Sequence, residues 1–177
     1  MKKNIIWLLA LTLFISCGDD NSEDFDPTRL EIVTGMNVIT PEGITTEQWG
    51  NPNIPTNPNY NIFPKPAFES IRVITPNAIE QIWLVRGVPT QLLSETDFDQ
   101  VFEQSPYQLA DVEANAFRTF EPAGATDVNL SLDGITQGYY RIFIQLQNGS
   151  LIWDNIYVQG SSTIDLNEIN FWGIFQN

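Results

Sequence analysis

The residues that most enzymes use for proton transfer, nucleophilic attack or metal binding are scarce in this sequence. It contains no histidine and one cysteine, Cys17, which excludes histidine-dependent hydrolases and the usual zinc, copper and iron ligand sets. Carboxylates remain, and Asp127, Asp133 and Asp154 are the candidates for glycoside hydrolysis. Their spacing brings no two of them together, so we expect no enzyme activity and no cofactor or metal. A carboxylate-based glycoside hydrolase stays only a third functional interpretation.

Cys17 ends a segment with the layout of an export signal. A basic start, residues 1–4, precedes the apolar run of residues 5–15, which is too short to span a bilayer as a helix. Residues 14–17 resemble the lipobox of bacterial lipoproteins, although a phenylalanine stands where an aliphatic residue is usual. The resemblance implies that residues 1–16 are a signal peptide, that Cys17 is acylated, and that the protein is anchored in the outer membrane, surface-exposed or periplasm-facing. An ordinary cleaved signal and an uncleaved membrane helix are the alternatives.

Residues 17–29 are predicted to form a flexible acidic tether, because so polar a segment buries too little apolar area to offset chain entropy. The stretch resembles the acidic export tag of surface lipoproteins in some Gram-negative bacteria, and a plain solvated spacer is the alternative. Cleavage after residue 16 leaves six basic residues against 22 acidic ones, a formal charge of −16. Such a chain repels phosphate backbones, which excludes nucleic acid as a partner. The acyl chains on Cys17 are therefore the expected contact with the membrane.

Short apolar alternations separated by turn residues dominate the rest of the chain. They predict strands at residues 30–36, 68–75, 79–86, 117–120, 128–132 and 169–175, and a hairpin of residues 139–146 and 151–158. A two-residue Asn-Gly turn in that hairpin places Ile144 opposite Trp153 on the core face. It also leaves Arg141 and Asp154 as an exposed diagonal pair.

One helix is expected at residues 94–103, where acidic residues favour the helix N-terminus and apolar residues recur at helical spacing. Asp97, Asp99 and Glu103 lack the glycine and the terminal glutamate of a calcium loop, so the helix start explains them better.

Seven or eight strands with regular turn spacing predict one all-β domain over residues 30–177, an antiparallel immunoglobulin-like β-sandwich with one short helix. A small up-and-down barrel is the runner-up. Residues 60–66, followed by two strand patterns and later by residues 138–142, resemble the β-sandwich sorting domain of type IX secretion cargo. Lys65 between two prolines, the extra residues 91–121 and the acidic C-terminal end depart from that family. The resemblance therefore supports the sandwich fold and not a sorting role.

A long irregular loop is predicted from Thr40 to Pro66, because it holds six prolines and several asparagines. Trp49 lies in this stretch without apolar periodicity around it, and Tyr60 follows. Both are candidate ligand-binding residues, since aromatic rings stack on sugar faces; filling the core is the alternative role of such rings. We therefore expect a non-catalytic binding or adhesion module for a glycan or an envelope protein. A structural subunit of an envelope assembly, paired through exposed strand edges, is the alternative.

Overall fold

A computed structural model describes residues 26–55, 59–91, 93–102 and 106–163. The predicted signal, Cys17 and the predicted strand at 169–175 lie outside these ranges. Neither helix within them is long and apolar enough to cross a membrane. The described part is mostly β structure, as the sequence predicted, with these elements: β1 (Ile32–Val33), β2 (Gly35–Ile39), β3 (Thr45–Gly50), β4 (Asn61–Phe68), β5 (Ser70–Ile74), β6 (Ile79–Arg86), β7 (Val88–Pro89), α1 (Phe98–Val101), α2 (Leu109–Asn115), β8 (Ala116–Phe120), β9 (Asp127–Ser131), β10 (Gly138–Leu146) and β11 (Leu151–Val158).

Three long strands, β6, β10 and β11, form the centre of the fold. β10 is antiparallel to both neighbours, and β8 continues the sheet beyond β6. Side chains of β6 alternate between two buried faces as predicted: Ile82 and Leu84 enter one core cluster, and Trp83 and Val85 enter another. Burial on both faces explains why the β6 sequence is apolar along most of its length.

The first core cluster lies between this central sheet and a layer made of β4, β5 and β9. β5 is the middle strand of that layer, since it pairs with the start of β4 on one side and with β9 along its whole length. Ile71 and Val73 of β5 are fully buried against central-sheet residues such as Ile142 and Ile144. Each such side chain contributes roughly 1.5–3 kcal/mol by leaving water. This cluster is the main core.

Two short helices cover the opposite face of the central sheet. α1 begins after Asp97, whose carboxylate accepts a hydrogen bond from the amide of Asp99 and caps the helix. Tyr107, just before α2, packs edge-on against Trp153 with their ring centroids 4.9 Å apart, and Val112 of α2 is buried in the same cluster. The expected helix at 94–103 is therefore partly confirmed as the shorter α1, and α2 is a second helix that the pattern did not predict.

The expectation of an irregular loop from Thr40 to Pro66 is wrong, because β3 and the first part of β4 fall within it. β3 pairs along its length with β2. β4 pairs with β5 through Asn61–Phe63, then with β2 at Lys65, then with β11 at Ala67. Pro64 and Pro66 fall between these contacts, at positions that pair with no other strand, so their missing N–H groups break no ladder.

The hairpin of β10 and β11 has the predicted strands but a different register. Gln145 pairs with Leu151 and Phe143 with Trp153, so the loop has three residues and ends on Gly149, which has φ +86°. Ile144 therefore lies opposite Ile152 and not Trp153. A shift of one residue changes which side chains share a face. The expected exposed pair of Arg141 and Asp154 is consequently wrong, and both side chains are buried.

Candidate functional site

A buried ion pair joins β4 to β11. The Nζ atom of Lys65 lies 2.6 Å from Oδ2 of Asp154, and the residues are 1% and 3% exposed. Asp154 also accepts a hydrogen bond from the amide of Asn155 at 2.7 Å through its other oxygen. Burying both charges is costly unless they stay paired and hydrogen-bonded. This pair therefore fixes the position of β4 against the central sheet and is closed to a substrate.

Arg141 is a second buried cation, on the helix-covered face of β10. One terminal nitrogen donates to the hydroxyl of Tyr107 at 2.6 Å, and the other donates to the carbonyl of Asn53 at 2.7 Å. Its guanidinium also lies 4.9 Å from the centroid of the Tyr107 ring. Burial raises the pKa of Tyr107, and the Arg141 charge beside it acts in the opposite direction. Arg141 thus ties the segment before β4 and the segment before α2 to the sheet.

Two asparagines complete this buried network. The side-chain amide of Asn155 donates to Oδ1 of Asn53 at 2.7 Å and to the carbonyl of Gly35 at 2.8 Å. Asn53 in turn donates to the carbonyl of Ile32 at 2.8 Å. The network holds three parts of the chain against β11: the residues just before β2, the start of β2 and the segment after β3. Its role is structural, because every member is buried.

The three candidate hydrolase carboxylates have separate environments. Asp154 is buried with Lys65, Asp127 forms a two-pronged exposed ion pair with Arg72, and Asp133 is exposed in the turn after β9. The Arg72 guanidinium holds the pKa of Asp127 below its usual value. Across the described ranges, no group of three acidic, histidine or cysteine side chains is arranged to hold a metal ion. These carboxylates therefore do not assemble into one site.

Trp49 is not in an irregular loop, and it is not outside the core. It lies in β3, is 3% exposed, and packs against Met36 and Tyr157. Its indole nitrogen donates to Oε2 of Glu47 at 3.0 Å. The expectation that this ring stands free of the core is therefore wrong. The residues before Trp49 show no apolar periodicity because β3 is an edge strand, and its first four residues, 45–48, are all exposed.

Tyr60 lies at the entrance to β4 and lines an open cleft of about 300 Å3, which we call the loop-end cleft. Its hydroxyl donates to the carbonyl of Trp153, and the residue as a whole is half-buried. Burial, and next the charge of Asp154, raise the pKa of Tyr60, so its hydroxyl stays protonated at neutral pH. Three turns meet around this ring, and they supply the other lining residues: Pro55, Asn59, Pro76, Asn77, Leu146, Asn148, Ser150 and Ile152.

The loop-end cleft is lined by apolar and by neutral polar side chains. Tyr60 and Ile152 are among the apolar ones. Asn59 and Asn77 are exposed, and their side-chain amides form no hydrogen bond with any described residue. Asn148 differs, because its oxygen accepts from the amide of Ser150 at 3.0 Å and shapes the hairpin turn. Two carboxamides that each donate and accept are therefore available to a ligand.

A second open cleft, of about 310 Å3, lies between the β2–β3 pair and α1. Most of its polar groups already have partners in the fold. The amide of Asn51 donates to the carbonyls of Leu93 and Thr96, and the amide of Gln48 donates to that of Gly50. This cleft therefore offers a ligand fewer unpaired amides, and it serves as an internal comparison for the loop-end cleft.

Residue type predicted one residue of the loop-end cleft, Tyr60, but not the amides around it. The usable signal was that asparagine recurs in each predicted turn, as Asn59, Asn77 and Asn148. Turn composition does not show which turns meet in space. Comparison with known proteins adds nothing further, since no family model, no curated protein and no solved structure matches the chain.

Proposed function

We propose that this protein is a lipid-anchored cell-envelope protein with a non-catalytic binding or adhesion module, and that the loop-end cleft takes a neutral glycan. The observation that carries the proposal is the pair of unpaired amides, Asn59 and Asn77, which line the same cleft as the half-buried Tyr60. Sugars present hydroxyl groups at their rims and apolar C–H faces between them. Side-chain amides can hydrogen-bond the hydroxyl groups, and an aromatic ring can pack against the C–H face.

The charge of the chain supports a neutral ligand. The full sequence carries a formal charge of −14, and no lysine or arginine lines the loop-end cleft. An anionic polysaccharide would meet repulsion from the protein and no local cation to offset it. Uncharged oligosaccharides avoid that repulsion and still form hydrogen bonds with the two amides.

The layered β structure is interpreted here as an immunoglobulin-like sandwich. In such folds, loops cluster at the two ends of the packed sheets and often carry the binding residues. The turns before β4, between β5 and β6, and between β10 and β11 meet in this way at the loop-end cleft. Attachment to the outer membrane rests on the lipobox resemblance of residues 14–17. A tether between the lipid and the domain would leave the cleft accessible.

The Asn59→Ala/Asn77→Ala variant is expected to lose roughly 5- to 150-fold in affinity for neutral glycans, because each lost hydrogen bond costs roughly 0.5–1.5 kcal/mol. Thermal stability should change little, since neither side-chain amide forms a hydrogen bond with a described residue. The measurement is retention on immobilised cello-, xylo- and manno-oligosaccharides.

A matched control removes two other asparagines from exposed or half-exposed positions, Asn37 and Asn129. Asn37 lines the second cleft and Asn129 lies on β9. Equal loss of retention in both double variants, or retention of none of these glycans by the unmodified protein, would contradict the proposal.

The structural-subunit function remains the second candidate, because three strands of the nine-stranded sheet each have a free edge in the described part. β3 pairs only with β2, β8 only with β6, and β9 only with β5. A free edge presents unpaired backbone groups to another chain. Concentration-dependent self-association in sedimentation velocity, with no glycan retention, would favour this candidate over the binding module.

A further inference from the structure

The edge strands β8 and β9 belong to different layers and lie on either side of an open groove. β8 ends the central sheet, and β9 ends the layer that β4 and β5 form. The chain between them, residues 121–126, passes from one layer to the other. The groove has a volume of about 360 Å3 and is lined by residues of both strands. We call it the inter-sheet groove.

The floor of the inter-sheet groove is the edge of the main core. Phe120 of β8 and Val128 of β9 are only partly buried and pack against the first core cluster. Leu130, also at the groove, is 6% exposed. Apolar side chains inserted from outside would therefore contact Phe120 and Val128 and remove them from water.

This edge carries basic residues although the protein as a whole is acidic. Six basic residues lie in the described part, and four of them are already compensated: Lys65 and Arg141 are buried in the network, and Arg29 and Arg72 pair with Glu31 and Asp127.

The other two, Arg86 and Arg118, are exposed and contact no carboxylate of the described ranges. They lie on the adjacent strands β6 and β8. The Arg86 guanidinium is 4.1 Å from the ring centroid of Phe117, and that of Arg118 is 5.7 Å from the centroid of Phe120. Glu121 also lines the groove but forms an ion pair with neither. Both available cations of the described chain therefore lie beside one free strand edge.

We propose that an extended acidic segment of a partner protein adds to β8 as a further strand. Its backbone would pair with the free edge of β8, which gives affinity without regard to sequence. Alternate side chains of an added strand point to the two sheet faces. Arg118 and Phe120 both line the groove and share one face of β8, so the groove face of the added strand would place acidic residues beside Arg118 and Arg86 and apolar residues against Phe120 and Val128. This surface shares no residue with the loop-end cleft, so it is independent of glycan binding.

The probe is the capped peptide Glu-Thr-Val-Thr-Glu-Thr-Val, which presents glutamate and valine on one face, compared with the same peptide carrying lysine in place of glutamate. The protein is residues 17–177 with Cys17→Ser. We expect the glutamate peptide to bind at least roughly tenfold more tightly than the lysine peptide, with a preference that weakens as salt rises. Hydrogen exchange should show new protection at the amides of β8 only when the glutamate peptide is present.

Arg118→Glu should reduce affinity for the glutamate peptide at least roughly tenfold, while Arg118→Lys keeps most of it. Arg72→Glu is the matched control, since it reverses the charge of an exposed residue that does not line the groove, and it should leave binding unchanged. Equal binding of both peptides, or equal losses in Arg118→Glu and Arg72→Glu, would overturn the proposal. Protection of the β8 amides before any peptide is added would also overturn it, because a segment of this chain or of a second copy would then hold the edge.

Discussion

Lys65→Met is expected to lower the free energy of unfolding by about 3–5 kcal/mol, because it leaves the Asp154 carboxylate buried without its cation. The side chains are similar in length, so packing changes little and the loss reports the unpaired charge. Asp154→Asn should cost a comparable amount, since it leaves the Lys65 ammonium buried without its counter-charge. Urea denaturation followed by tryptophan fluorescence measures both losses.

Replacing both Lys65 and Asp154 tests whether the unpaired buried charge causes the loss of stability. Lys65→Met/Asp154→Leu should recover most of the stability that Lys65→Met loses, because an apolar pair needs no compensation in the core. Arg72→Met is the surface control. It breaks the exposed pair with Asp127 and should have only a small effect. If the surface variant is as destabilised as Lys65→Met, the buried pair is not the element that positions β4.

Cys17→Ser is expected to move the protein almost completely from the membrane fraction to the soluble fraction. The reason is chemical, since the hydroxyl of serine does not accept the lipid that the proposal assigns to the Cys17 thiol. A chain with formal charge −14 has no other attraction to anionic lipid. Radiolabelled palmitate incorporation and membrane fractionation are the measurements.

The control for Cys17→Ser is a serine substitution elsewhere in the signal region, Ile15→Ser, which leaves the cysteine in place. It should retain at least part of the label. A Cys17→Ser protein that stays in the membrane fraction, or an unmodified protein that takes up no label, would contradict lipid anchoring.

Local patterns predicted the long strands well because their signal is contained within each segment. β6 and β11 begin and end at the predicted residues, and the alternation in β6 assigned its two faces correctly. The register of the hairpin could not be predicted from local patterns of this kind. The sequence Gln147-Asn148-Gly149 fits a two-residue or a three-residue loop, and the choice moves Arg141 and Asp154 relative to each other.

Long-range partners explain what the sequence could not predict. Lys65 and Asp154 are 89 positions apart, and Arg141 and Asn53 are 88 apart. Nothing near any of them marks it as buried, so charged and polar residues were assigned to the surface by default. β4 was missed for a similar reason: its prolines argue against a strand unless its three different neighbours are known.

The residues of the loop-end cleft were likewise predicted only in part. Tyr60 was predicted as a ligand contact from its residue type, and it does line the loop-end cleft. Trp49 was chosen by the same reasoning, but it packs on Met36 from an edge strand. An aromatic ring in a polar segment has two possible environments, and only the packing of other segments decides between them. Residue type alone therefore cannot distinguish an aromatic side chain that lines a cleft from one that packs in the core.

The most direct test of glycan binding at the loop-end cleft is nuclear magnetic resonance of the ¹⁵N-labelled domain during titration with neutral cello-, xylo- and manno-oligosaccharides. Side-chain amides give resolved signals, so the ligand is read at the residues that the proposal names. If glycans bind at this cleft, the Asn59 and Asn77 side-chain amides shift saturably, with smaller shifts in the backbone of Tyr60 and Ile152. Shifts confined to Asn37, Gln48 and Asn51 at the second cleft, or no saturable shift with any of the three glycans, would contradict it.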